Sequence, residues 1–361
     1  MMSIEFTGMI GHQLSSEILP PTGPIFDRDH IVRFAQTHEA AGFDRILVGH
    51  WSDRPDGFLV TALAGLSTKR IRFLLAHRPG FVSPTLAARK FATLEHLLEG
   101  RLAVHIISGG SNSEQRRDGD WLDHDERYAR SDAFLEVVRR TWTSEEPFDI
   151  ANDFYRAEQA RSAIHPQQQP HIPIWFGGAS DAALRVAGRH ADVFALWGES
   201  LDQTRDTIQR VREEAAKQGR QPRFSVSFRP IIADTEEAAW AKANEILEQA
   251  RELASGYTFS PKPESVGAQR LRETAAKGDV VDKRLWTGIA RLVGGGHNST
   301  ALVGTPEQVS DALLDYYSLG VSNFLIRGFD PVNDARDYGQ ALIPLTREKV
   351  RLRAEARRQP A

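Results

Sequence analysis

The chain has 361 residues, 41% of them hydrophobic and 26% charged, with a formal net charge of −3. That length suits two ordinary domains or one large α/β barrel; the composition excludes a disordered chain, and the charge gives no long-range pull toward nucleic acid or an anionic membrane. The absence of cysteine removes disulfides, thiolate nucleophiles, zinc–thiolate sites and iron–sulfur clusters together.

The N-terminal stretch MMSIEFTGMIGH lacks the basic and long apolar regions of a signal peptide, and no apolar run approaches a membrane span. The expectation is a soluble, cytoplasmic protein. Eight β-rich runs then come in order: 4–11, 45–49, 71–77, 101–108, 173–178, 192–198, 224–232 and 323–329. Most are near-continuous apolar runs, as parallel strands buried on both faces require. Helical patterns lie near 29–41, 56–67, 84–98, 126–143, 180–188, 202–218, 235–252 and 306–319. The alternation predicts a single (β/α)8 TIM barrel over 1–361, each strand followed by a helix, rather than a doubly wound sheet. Start signals support the helices. Ser83-Pro84 and Thr305-Pro306 each place a hydroxyl before a proline at the first helical position, and Gly100 comes just after the third helix.

Two connections are too long for ordinary loops: Gly109 to about Asp125 after strand 4, and Gly256 to Ser299 between strands 7 and 8. Loops of that length are functional or disordered. Glycine and proline at both ends of the second predict a mobile lid over 255–299.

In such barrels the chemistry sits at the C-terminal ends of the strands. The first four strand ends lead into His12 and Gln13, then His50, Trp51, Asp53 and Arg54, then His77 and Arg78, then Ser108 and Gly109. Gly178, Ala179 and Ser180 come after strand 5, and Trp197 ends strand 6, while Arg229 and Arg327 belong to strands 7 and 8. Arginine binds carboxylate, phosphate or sulfonate through a planar donor fork, so an oxyanionic ligand is inferred. The plain alternative is that each arginine pairs with a carboxylate at a loop base. FGGASDAA (176–183) is the phosphate candidate, because glycines admit close backbone approach and a helix N-terminus offers free N–H groups. WLDHDERYARSDAF (121–134) could supply metal ligands, yet adjacent helical residues do not converge on one point; HExxH, paired histidines and GxSxG are all missing.

These segments, together with RPGFVSPTLAARKFATLEHLLEGR (78–101), LWGES (196–200), LWTGIARLVGGGHNSTALVGTPEQV (285–309) and LGVSNFLIRGF (319–329), resemble the bacterial luciferase-like flavin monooxygenases. Within them the resemblance is to alkanesulfonate monooxygenases, which use reduced FMN and O2 to cleave C–S bonds. It implies FMN delivered reduced by a separate NAD(P)H-dependent flavin reductase, release of sulfite and a carbonyl product, and a homo-oligomer, dimer or tetramer. It also implies cofactor contacts from Tyr128, Gly178, Ala179 and Ser180 at the phosphate, from Ser108 and Gly109 beside the isoalloxazine, and from His77. Trp197 matches the tryptophan at the substrate pocket.

The departures fall in the substrate shell. Arg54 stands where the alkanesulfonate enzymes carry a cysteine, Ser227-Phe228-Arg229 where they carry Arg-x-His, Phe329 where they carry a tyrosine, and Gly294 or a neighbour where they carry a lid arginine. His12, Gln13, Trp51, Asp53, Arg54, Arg229, His297 and Asn298 add hydrogen-bonding capacity that an alkane tail leaves unmet, at about 1–3 kcal/mol for each buried donor. A hydroxylated sulfonate such as sulfoquinovose would meet it. Arg229, with Arg54 and Arg327, is expected to grip the sulfonate, with His12, Trp51 and Trp197 lining the pocket. His297, with Arg229, is the expected catalytic residue, as an acid/base that titrates near neutrality. The alternatives are a flavin or F420 oxidoreductase acting on a non-sulfonate substrate, and a flavin-binding protein without catalysis.

Overall fold

The computed structural model describes residues 3–256, 265–296 and 299–356. Eight barrel strands come in chain order: β1 Glu5–Ile10, β2 Arg45–Val48, β3 Arg72–His77, β4 Leu102–Ile106, β5 Ile174–Gly177, β6 Val193–Trp197, β7 Arg223–Ile232 and β8 Val321–Ile326. Their hydrogen-bonded order runs β7–β8–β1–β2–β3–β4–β5–β6 and returns to β7, the closed parallel ring of a (β/α)8 TIM barrel. The apolar runs make the strands for the expected reason: in β4, Leu102, Ala103, Val104 and Ile106 are all buried.

The principal helices are α1 Arg28–Ala40, α2 Gly57–Leu66, α3 Pro84–Leu97, α4 His124–Thr143, α5 Asp181–His190, α6 Leu201–Ala216, α7 Glu236–Gly256, α8 Pro306–Ser318 and α9 Ile343–Ala356. Asp27, Asp56, Ser180 and Thr305 each cap a helix by accepting a backbone N–H, and Thr305 with Gln308 forms a capping box. Ser83 occupies the cap position of α3, but its hydroxyl makes no capping bond; Pro84 alone marks that start. The one-helix-per-strand alternation needs correcting at its end. Both α7 and α8 lie between β7 and β8, and the helix after β8 is α9, reached through Pro331–Asp337 and a π-helical turn, Tyr338–Leu342.

The long connections contain structure of their own. A short helix, Asn112–Arg117, lies in the first. The second holds the helix Val266–Ala276, the antiparallel pair Val280–Val281 and Leu285–Trp286, and the helix Gly288–Leu292. An antiparallel pair that the sequence pattern did not signal, Phe148–Ala151 with Arg156–Ala160, precedes β5. Of the expected lid, 257–264 and 297–298 lie outside the described residues, and with them His297 and Asn298. Among the described residues, no helix is long and apolar enough to cross a membrane.

The described residues fall into two compact units. One takes in residues up to 46, 195–209 and those from 223 onward; the other takes in 47–194 and 210–222. In the first, β7 changes partner along its length. Phe224–Phe228 pairs with β8, and Arg229–Ile232 pairs with the short parallel strand Ala301–Gly304. Arg229 stands at that changeover, its N–H donating to Thr300 O at 3.0 Å. A core of Ile231, Ala243, Ile246, Trp286, Val303 and Phe329 packs around this extension. In the second unit, Phe91 and Phe134 are fully buried beside His77.

Three histidines in or against the core, His38 and His77 buried and His105 half-buried, set an acid limit on the fold. Burial holds His38 down to about 4, against a backbone bond to Phe34 O; it holds His77 down to about 3, helped by His50 and Lys90, and His105 down to about 4. Their folded pKa values lie below the unfolded one, so their contribution is complete above pH 6.5 and is lost as pH falls toward 4 and 3. Between pH 6.5 and 5, each costs at most about 2 kcal/mol. Urea midpoints should therefore drop over that interval, and His105→Gln should make the drop measurably smaller. An unchanged pH slope in His105→Gln would show that this histidine is charged in the folded protein.

Candidate active site

After β5 the chain turns through Gly178, Ala179 and Ser180 into α5. Gly178 has φ +140°, and a Cβ there would lie 2.5 Å from Tyr128 Oη and 2.7 Å from Ala183 Cβ. Only glycine fits, so the backbone of this turn lies against Tyr128. Tyr128, on α4, is buried. Burial pushes its phenol up, and a hydrogen bond with the Ser180 side chain opposes that rise. Ser180 Oγ also accepts from Ala183 N–H at 3.3 Å. The remaining N–H groups of the first turn of α5 have no intrahelical partner, as at any helix start. Neutral phenol, serine hydroxyl, glycine backbone and helix N-terminus together suit a phosphate monoester, so the expected residues fit the phosphate end of FMN.

Asp123 and Glu126 form the capping box that starts α4, while Asp125 meets His124 Nδ1 at 2.7 Å. The His124 ring lies edge-on to Tyr128, 5.0 Å between centroids. Arg127 locks the insertion before α4: its Nε donates to Ser108 O at 3.1 Å and its Nη1 to Leu122 O at 2.6 Å. Ser108 Oγ shares a hydrogen with Ser131 Oγ at 2.9 Å. Gly109 has φ +86°, and a Cβ there would strike the Gln115 amide.

At the end of β3 the two neighbours divide. His77 is caged by Phe58, Phe91 and Phe134 at 5.0–5.8 Å, and its Nε2 has no hydrogen-bond partner among the described residues. Arg78 is buried and holds Glu114 at 3.0 Å, Asp118 at 3.7 Å and Ser52 Oγ at 3.2 Å. It thereby ties the short helix 112–117 to the strand end. Trp51 covers Gly49, where a Cβ would meet its ring. Arg54 is exposed and pairs with Asp53 at 3.4 Å.

In the other unit, Arg229 has no exposed surface, and its guanidinium lies 3.7 Å from the Phe329 ring centroid. Its Nη2 donates to Gly328 O at 2.8 Å, and its Nη1 lies 2.6 Å from Glu17 Oε1. Arg327 Nη2 reaches the same oxygen at 2.9 Å. Burial pushes the Glu17 carboxyl up, but Arg229 and Arg327 outweigh it and hold it at about 2. Burial and Arg229 bring Arg327 down to about 10, against the pull of Glu17. The plain expectation for the arginines therefore applies to Arg54, Arg229 and Arg327 alike, each of which meets a carboxylate.

Trp197 packs on Gly267, at the start of the insertion helix. That helix is fastened by Arg270, which grips the buried Glu199 through Nε and Nη2 at 2.7–3.0 Å. His12 is half-buried, and its carbonyl accepts from Asp27 N–H at 2.8 Å.

The structure thus joins Tyr128 to Gly178 and Ser180, and Arg229 to Arg327. It adds Glu17, Glu114 and Arg270, to which sequence reasoning assigned no role. Each is one end of an ion pair between distant segments, for which local sequence carries no signal.

A (β/α)8 barrel with a glycine turn after β5 that opens into a helix N-terminus, and an insertion following β7, defines the class. A model of the luciferase-like monooxygenase family matches residues 4–323, and the chain belongs to that family. Among solved structures it is similar to riboflavin lyase, crystallised with modified FMN and riboflavin, at TM-score 0.80 and 21% identity over 96% of this chain and 92% of that one. Long-chain alkane monooxygenase matches at TM-score 0.77 and 18% identity over 97% and 92%. EDTA monooxygenase from Chelativorans sp. BNC1 matches at 0.77 and 18% over 96% and 94%. At these identities the likeness is one of fold.

The turn at Gly178 is open to direct test. Gly178→Ala should lower affinity for FMN at least about tenfold while hardly changing that for riboflavin, because phosphate contacts carry charge-assisted bonds. Fluorescence titration with both ligands reads the difference. Equal FMN affinity in variant and parent would remove the turn from the cofactor site.

Proposed function

We propose that this protein is a two-component monooxygenase that takes reduced FMN from a separate NAD(P)H-dependent reductase and desulfonates a polar organosulfonate such as sulfoquinovose. The observation that carries this reading is the pair of arginines within β7 and just past β8: two guanidinium groups share one carboxylate, which leaves the cluster one positive charge in excess. A buried excess of positive charge favours an anionic substrate group.

The turn at Gly178, with Tyr128 and Ser180, would hold the cofactor phosphate. Ser108 and Gly109 would edge its ring, and His77, kept neutral by its phenylalanine cage, would add an uncharged wall. Reduced FMN, when bound, supplies the two electrons that activate O2: one oxygen atom goes to the carbon bearing sulfur, the other leaves as water, and the products are a carbonyl compound, bisulfite and oxidised FMN. The chain's own residues bind, orient and exclude water. Arg229, already oriented by Phe329 and Gly328 O, and Arg327 would fix the sulfonate. Trp197, His12 and Trp51 would meet the rest of the substrate, and proton transfer falls to His297. Arg54 pairs with Asp53 at the surface, so the reading gives it a secondary part.

Sulfite release should be measured with FMN, O2 and an NAD(P)H–flavin reductase. We expect release from sulfoquinovose, far slower release from hexanesulfonate, and a loss of about ten- to a hundredfold in kcat/KM for Arg327→Met, since a charge-assisted bond is worth roughly 1.5–3 kcal/mol. Release from hexanesulfonate alone would overturn the polar-substrate reading. F420 binding in place of FMN would overturn the flavin reading.

A further inference from the structure

Glu17 lies on the segment between β1 and α1, where residues 11–27 form neither strand nor helix. The segment's ends are tied by Asp27 N–H donating to His12 O at 2.8 Å. Its middle is a small turn: Ser16 N–H donates to Leu19 O at 2.9 Å, and Ser16 Oγ accepts from Ile18 and Leu19 N–H, each at 3.2 Å. From this turn the Glu17 carboxylate reaches the arginine pair, and it does so with one oxygen only. Oε1 takes both contacts, whereas Oε2 is buried without a hydrogen-bond partner among the described residues.

The arginines are equally underused. Arg229 Nε and Arg327 Nε have no hydrogen-bond partner among the described residues, and Arg327 Nη1 has only a 3.5 Å contact to Met9 Sδ. Two guanidinium forks suit an oxyanion with several oxygens, and a carboxylate seated by one oxygen leaves much of that capacity unmet. We propose that Glu17 is the resident occupant of the anion site, and that the anionic group of the substrate displaces it, with residues 11–27 as the moving segment. This rests on the assignment of anion binding to Arg229 and Arg327.

A built-in competitor also selects. A monocarboxylate offers the arginines no more than Glu17 does, and Glu17 is tethered at high effective concentration. A sulfonate brings a third oxygen, able to use donors that Glu17 leaves idle. Glu17 thereby becomes a determinant of specificity for sulfonates and similar three-oxygen anions over carboxylates.

Two measurements test this. Hydrogen–deuterium exchange on the unaltered protein, with and without sulfoquinovose or inorganic sulfate, should show faster exchange across 11–27 when the anion is present. Calorimetric titration of the same two anions should show Glu17→Gln binding at least about tenfold tighter than the parent, because a competitor that closes the site nine-tenths of the time lowers apparent affinity by that factor. Slower or unchanged exchange across 11–27 with both anions overturns the proposal, even if Glu17→Gln does not fold. Weaker or equal binding by Glu17→Gln, with Arg327→Met losing affinity, overturns the displacement and leaves the arginine site standing. If Arg327→Met keeps full affinity, the arginine assignment has failed and the displacement falls with it.

Discussion

A guanidinium group with no exposed surface constrains everything around it. Arg229 is such a group. Left without a counter-charge, a buried cation costs several kcal/mol, so the chain must bring partners to it. It does so from two separate segments: Glu17 from the connection after β1, and Gly328 O and the Phe329 ring from the residues just past β8. The backbone N–H of Arg229 is met separately, by Thr300 O, where β7 begins to pair with Ala301–Gly304. Meeting one charge thus fixes the exit of two strands and the path of one loop.

The second unit obeys the same rule with different chemistry. There the demand comes from a helix start, whose N–H groups lack partners. Ser180 meets one of them, and Tyr128, held neutral by burial, closes against the glycine backbone. Tyr128 is placed by α4, and the connection leading into α4 is fixed in turn by two buried arginines. Arg127 bonds carbonyls on either side of the insertion, and Arg78 pairs with carboxylates inside it. The acidic and basic residues of WLDHDERYARSDAF therefore act mainly as fasteners: Asp123 and Glu126 start the helix, Arg127 anchors the insertion, and the tyrosine among them packs on the Gly178 turn.

Features set by local chemistry were legible in the sequence. The apolar runs gave all eight barrel strands to within three residues of their ends, and Thr305-Pro306 announced a helix start through a hydroxyl cap. Features that depend on distant pairing were not. Nothing in FSVSFRPII says that its second half will leave β8 for Ala301–Gly304, because that partner lies some seventy residues away and is only four residues long. The helix after β8 was hidden by Pro331, Gly339 and Pro344, which interrupt its period; the structure absorbs the middle of that stretch as a π turn. His77 was read from its place at a strand end, but its character is set by phenylalanines on α2, α3 and α4. Glu17, in SSEILPPTG, has the sequence signature of a solvated loop carboxylate and nothing else.

The net charge of −3 sharpens the demand on the arginine pair. A weakly negative protein offers an anion no long-range attraction, so recognition has to come from groups at contact distance. A buried and a half-buried guanidinium group sharing one site repel each other, and the repulsion grows as water is excluded. The pair is tolerable only while some negative charge sits between them. If a charged ligand binds and leaves here, as proposed, that requirement holds in both states. A carboxylate on a connection with little regular structure supplies the counter-charge when no ligand is present, and its single-oxygen contact leaves room for a ligand that makes better use of the donors. On the proposed displacement, the feature that makes the site stable when empty is also the one a ligand must outcompete, and affinity and selectivity at this end of the barrel would come from a difference between two anions.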